Sequence, residues 1–88
     1  MKKLNLKTRI KVALLLMRVL KLQNKADGNE YYNFEFSGVT NQIDFAKMRR
    51  NEYRHRTAKH FHCYLENDLG LTLDEFAEQI KIEEDLHR

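Results

Sequence analysis

An 88-residue chain with 42% hydrophobic and 33% charged residues has room for one domain with a modest core, which excludes an enzyme built from separate substrate and cofactor domains. Its formal net charge of +3 conceals strong segregation: residues 1–25 carry eight Lys or Arg and no acid, and residues 26–46 carry four acids and no base. Residues 47–60 hold six bases against one acid, and residues 61–88 hold eight acids against two bases, so local fields exceed what the net charge conveys.

The chain opens on strong helix formers over residues 2–25. Leu6, Ile10, Ala13, Met17 and Leu20 recur at spacings of four, three, four and three, which places them on one helical face. Val12, Leu15, Leu16 and Val19 form a second apolar set, leaving a polar stripe of Lys3, Lys7, Lys11, Arg18, Lys21 and Lys25. A helix this apolar is expected to be covered on more than one side, by a sheet and by either a second helix or another subunit. The uninterrupted apolar run Val12 to Met17 is closed by Arg18, with no small-residue cleavage site behind it. It is also far short of the roughly 20 residues that span a bilayer, so no membrane association is expected.

Ala26-Asp27-Gly28-Asn29 supplies a helix stop. Residues 30–36 then alternate, with Tyr32, Phe34 and Phe36 on one side and Tyr31, Asn33 and Glu35 on the other, as in a half-buried strand. Ser37-Gly38 reads as a tight connection to a second strand in which Val39, Asn41, Ile43 and Phe45 share a side. Residues 58–69 fit two readings. As a strand they put Phe61, Cys63 and Leu65 toward the core and His60, His62 and Tyr64 away from it; as a helix, Ala58, Phe61, Leu65 and Leu69 make one face. The strand is favoured, because a two-stranded hairpin is marginal alone and a third strand supports its apolar face.

Thr72-Leu73-Asp74-Glu75 is a capping box, and it predicts a closing helix whose core face is Leu73, Phe76, Ala77 and Ile80. The expected fold is α+β: a single small domain over residues 1–88, in the order helix-strand-strand-strand-helix, with a three-stranded antiparallel sheet.

Three surfaces are candidates for function. The sharpest is Arg49-Arg50-Asn51-Glu52-Tyr53-Arg54-His55-Arg56, extended by Lys59: guanidinium forks match phosphate oxygens or carboxylates, and an aromatic face can stack on a base. The second is the acidic start of the last helix, where Asp74, Glu75 and Glu78 would meet a basic partner. The third is the open side of the sheet, to which Tyr31, Asn33, Glu35, Gln42, Asp44, His60, His62 and Tyr64 project.

Other chemistry finds little support. A lone Cys63 makes no intramolecular disulfide and reads as a quiet core residue, which fits a reducing, cytoplasmic compartment. His60 and His62 share a side, but Cys63 faces away from both and no Cys-x-x-Cys spacing is present, so neither a metal site nor a cofactor is expected. Glu83-Glu84-Asp85 reads as a solvated helix end, and no catalytic residue can be nominated.

The element order resembles that of double-stranded RNA-binding domains, yet those domains place lysines at the start of the final helix, where this chain has Leu73-Asp74-Glu75. Residues 34–45, Phe-Glu-Phe-Ser-Gly-Val-Thr-Asn-Gln-Ile-Asp-Phe, resemble a hairpin of small uncharacterised proteins from phages of Gram-positive bacteria, which often read Ser-Gly-His-Val-Asn where this chain has Val39-Thr40-Asn41 after its Ser-Gly. That resemblance implies a phage or mobile-element origin. It also implies a non-enzymatic interaction protein, such as an anti-CRISPR-like inhibitor of a host defence nuclease, with a protein partner bound through charged surfaces. The alternative is a small basic nucleic-acid-binding protein that uses segment 49–59. Self-association through the first helix is expected in either case, because its apolar surface exceeds what the rest of the domain can cover.

Overall fold

A computed structural model describes residues 3–26, 28–51, 54–66 and 70–87. The order is α1 (Leu6–Lys25), β1 (Glu30–Ser37), β2 (Gln42–Asn51), β3 (Arg54–Tyr64) and α2 (Leu73–Leu86), with an antiparallel sheet in which β2 is central. Both helices pack on one face of the sheet, and the other face is open. The α+β class and the element order are those expected.

α1 begins where the Asn5 side chain accepts a hydrogen bond from the Thr8 amide at 2.7 Å. It buries Leu15, Val19 and Leu22 against the sheet and α2, with Val12 half-buried beside them. The set spaced four-three-four-three lies on the opposite side: Leu6, Ile10, Met17 and Leu20 are each at least half exposed. Within one chain, then, α1 is covered on one side only.

Tyr32, Phe34, Ile43, Phe45, Phe61 and Cys63 fill the helix-facing side of the sheet, as their alternation requires. Tyr32 stacks on Phe45 at 5.6 Å between ring centroids, and Phe76 of α2 meets Phe45 edge-on at 6.3 Å. The expectation that β2 runs in from Val39 is corrected. Residues 38–41 form the turn; Val39 is 83% exposed, and Asn41 takes a left-handed φ of 49°. Asn41 is held there by a side-chain bond to Glu66, while its carbonyl accepts the Leu65 amide at 2.9 Å. Phe36, expected in the core, lies at the end of β1 next to that turn and is half exposed.

β3 is a strand, as favoured, but starts at Arg54 rather than residue 58. Lys47 pairs with Lys59 and Met48 with Thr57, so Ala58 is an extra residue that bulges the strand. The bulge exchanges the two faces: His55 and Thr57 join His60 and His62 on the open side, while Arg54 and Arg56 turn to the helix side beyond the helices.

α2 opens on the expected capping box, with both Thr72–Glu75 bonds at 3.1 Å. Its approach runs through Gly70, which bridges Cys63 at a φ of 78°; a Cβ there would stand 2.9 Å from the His62 carbonyl oxygen. Phe76, Ile80 and Glu83 form the buried stripe. Reading Glu83 as a solvated helix end is therefore wrong: it is 1% exposed and closes the polar end of the core. Among the described residues, no helix is long and apolar enough to cross a membrane.

Candidate functional site

The β2–β3 hairpin runs past the end of α2, and its last three rungs pair Arg49 with Arg56, Arg50 with His55 and Asn51 with Arg54. Arg49, Arg50, Arg54 and Arg56 are all exposed, and none forms an ion pair with another described residue. Like charges directly across an antiparallel pair are destabilising, so the Arg49–Arg56 rung costs stability that no ion pair among the described residues offsets. Glu30, the residue across from Arg49 on β1, is turned instead to Lys47 at 3.1 Å.

The bases nearer the helices are treated differently. Lys47 lies 2.9 Å from Glu83 Oε1, and Lys59 lies 3.2 Å from Glu83 Oε2. The Tyr32 hydroxyl donates to Glu83 Oε1 at 3.0 Å. Burial alone would push the Glu83 carboxyl up, but hydrogen bonds from Lys47, Lys59 and Tyr32 outweigh it and hold the group below the ordinary carboxylate range. Burial likewise pulls the Lys47 ammonium down, and Glu83 and Glu30 reverse this to raise it. Arg18 of α1 is held above its ordinary value mainly by its bonds to Glu84, which is lowered in turn.

Lys59, grouped with the arginines on sequence grounds, is ion-paired to Glu83 while its side chain stays 44% exposed; Arg49, Arg54 and Arg56 share the helix side of the hairpin end, and Arg50 lies on the open side with His55. His55 is exposed and bonded to the Tyr31 hydroxyl at 2.7 Å, with the two rings edge-on. Tyr53 lies outside the described residues. Asp74, Glu75 and Glu78 are exposed at the start of α2, which is anchored by the Leu71 amide on the His62 carbonyl at 3.0 Å. From His62 to Arg54 is eight residues of β3, or about 25 Å, so the acidic and basic surfaces lie at opposite ends of the sheet. Glu75 is already engaged by the Thr72 amide and hydroxyl, which keep its carboxyl low.

The open face matches the eight residues assigned to it. It holds a shallow hollow of about 220 Å³ lined by Asn33, Glu35, Asp44, Ala46, Met48, Thr57 and His60. Cys63 is on the other side of the sheet, buried, and desolvation raises its thiol. Sequence reasoning missed the Glu83 hub; its one available signal was position, since Glu83 follows Phe76 and Ile80 at helical spacing. No family model, curated protein or solved structure matches the chain.

Proposed function

We propose that this protein is a non-enzymatic binding protein that grips the phosphate backbone of a nucleic acid with its β2–β3 hairpin. The carrying observation is the set of four exposed arginines that make no ion pair among the described residues, two of them facing each other across a rung. A bound chain of phosphates supplies the missing counter-charge, and each guanidinium offers a two-pronged donor to a phosphate. The Tyr31–His55 pair, reaching across from β1 to β3, lies beside Arg50 on the open face of the sheet and offers ring surface for stacking.

The test is fluorescence anisotropy with a labelled duplex and a labelled single strand over a salt series. Four phosphate contacts give a slope of log K against log[salt] of about −3 to −4 on duplex DNA. Changing Arg49, Arg50, Arg54 and Arg56 together to Ala should abolish binding while leaving the circular dichroism spectrum intact. Undiminished binding by that variant, or no binding at low salt by the wild type, overturns the reading.

A second reading follows from the acidic end and from the phage-like hairpin: a mobile-element inhibitor that occupies the basic channel of a host defence nuclease. Asp74 and Glu78 favour it, being exposed and without an ion pair among the described residues. Reversing Asp74 and Glu78 to Lys should then abolish inhibition. Under the first reading the same change leaves nucleic-acid binding equal or tighter.

In either role the protein acts as a dimer through α1. Leu6, Ile10, Ala13, Met17 and Leu20 keep the heptad spacing of a coiled-coil seam, on the side turned away from the chain's own core. Leu14 and Leu16 widen that seam, and in a parallel pairing they place leucine across from Lys21 and Arg9, so no like charges meet. A second copy of this helix therefore fits in length, register and charge.

A further inference from the structure

The hairpin leaves unused the middle of the open sheet face, where three metal-ligating side chains converge. Asp44 stands on central β2, His62 directly across from it on β3, and His60 two residues along the same side. Asp44 Oδ1 lies 3.2 Å from both His60 Nε2 and His62 Nδ1, and the three ligand atoms fall within 4.8 Å of one another. We propose that Asp44, His60 and His62 form a mononuclear site for a divalent transition metal of the zinc class.

The distances favour this reading. Metal–ligand bonds of about 2.0–2.1 Å at tetrahedral angles separate neighbouring ligand atoms by roughly 3.3–3.4 Å, so two of the three edges are already close to the required length. Two imidazoles and a carboxylate are also a donor set that suits zinc, cobalt or iron rather than calcium or magnesium. The Gln42 amide donates to the same Asp44 oxygen at 2.9 Å, which orients the carboxylate as outer partners of metal ligands do.

Independent support comes from the register. Glu35 on β1 pairs directly with Asp44, so two carboxylates oppose each other on one face, an arrangement that is unfavourable without a cation. No Lys or Arg lines the hollow beside them; the basic residue of β2 on this face is Arg50, six positions away. Ala46, next to His60 in the ladder, keeps the space above Asp44 clear. Both histidines are nearly half exposed, at 47% and 45% of their side chains, which leaves the outward coordination position to water.

Tag-free protein titrated with zinc by calorimetry should bind one equivalent, and cobalt should give the visible d–d bands of a low-symmetry site. His60→Ala, His62→Ala and Asp44→Asn should each weaken binding by about 100-fold or more, and Gln42→Ala by about 10-fold. His55→Ala and Cys63→Ser should change nothing. Because the two histidines present different nitrogens, ¹⁵N imidazole shifts should place the metal on Nε2 of His60 and Nδ1 of His62. If Asp44→Asn loses structure, the two histidine variants, exposed and remote from the core, carry the test. Absence of stoichiometric binding overturns the proposal, as does undiminished affinity in the histidine variants or a metal resident on His55; Asp44 would then be a hydrogen-bond acceptor for the histidines and no more.

Discussion

Replacing Glu83 by Gln should destabilise the protein more than any substitution at its charged ends. The side chain is 1% exposed, and its two oxygens hold Lys47 at 2.9 Å, Lys59 at 3.2 Å and the Tyr32 hydroxyl at 3.0 Å. Lys47 is itself only 7% exposed, so loss of the carboxylate strands a buried ammonium with Glu30, at 3.1 Å, as its remaining counter-ion. Breaking a buried pair from one side costs about 3–5 kcal/mol, and the surviving Glu30 contact sets this case near the lower end, about 3 kcal/mol. For a domain of this size total stability is about 4–13 kcal/mol, so the loss is a large fraction of it. In thermal unfolding followed by circular dichroism the midpoint should fall by about 12–24 °C. Removing both charges, as Lys47→Met with Glu83→Leu, should recover most of that loss, because desolvation of the pair offsets much of its Coulomb attraction. A Glu83→Gln protein within about 1 kcal/mol of wild type would refute the assignment of Glu83 as the centre of the buried network.

Three further outcomes are expected. Light scattering at high micromolar concentration should give a dimer mass for the wild type and a monomer mass for Met17→Glu with Leu20→Glu; a wild-type monomer would count against the α1 seam. Cys63, buried beneath the sheet with its thiol raised by desolvation, should react with a thiol reagent only as fast as the protein opens, and rapid labelling under native conditions would contradict the β3 register. Stability should depend on pH at both extremes. The lowered Glu83 and Glu84 carboxyls contribute stability that is present above the unfolded carboxylate value of about 4.3 and is lost as pH falls through their folded values, while the raised Lys47 contributes stability present below about 10.4 and lost as pH rises through its own. Denaturant midpoints measured across pH should decline at each end, and Glu83→Gln should flatten the acid limb.

Local patterns made much of this fold readable. Period-two alternation assigned Tyr32, Phe34, Phe61 and Cys63 to the covered side and all eight open-face residues to the other, and the Thr72–Glu75 box located the start of α2. What escaped depends on partners distant in sequence. Nothing near Glu83 tells that Lys47 and Lys59 will arrive above it, and nothing near His60 tells that Asp44 will stand across the ladder. The third ligands visible in the local run were His55 and Cys63, and Cys63 faces the wrong way. The bulge at Ala58 is silent for the same reason: it exists only relative to β2, yet it decides which face His55 and Arg56 occupy. The two apolar faces of α1 were both legible, but periodicity alone does not say which one the sheet takes.

The segregated charge of the sequence is resolved unevenly by the fold, and that unevenness points to the hairpin. Glu83 and Glu84 of the acidic block are spent on Lys47, which is buried, on the partly exposed Lys59, and on Arg18 between the helices. The four arginines of the same basic block extend beyond the reach of α2 and receive no such partner among the described residues. Asp74, at the start of α2 beside His62, stands about 25 Å from Arg54 along the sheet, well beyond the roughly 8 Å over which charges feel each other at physiological ionic strength. The two ends therefore act as independent surfaces of opposite sign. A partner approaching the hairpin meets a local field set by four guanidinium groups and not by a net charge of +3.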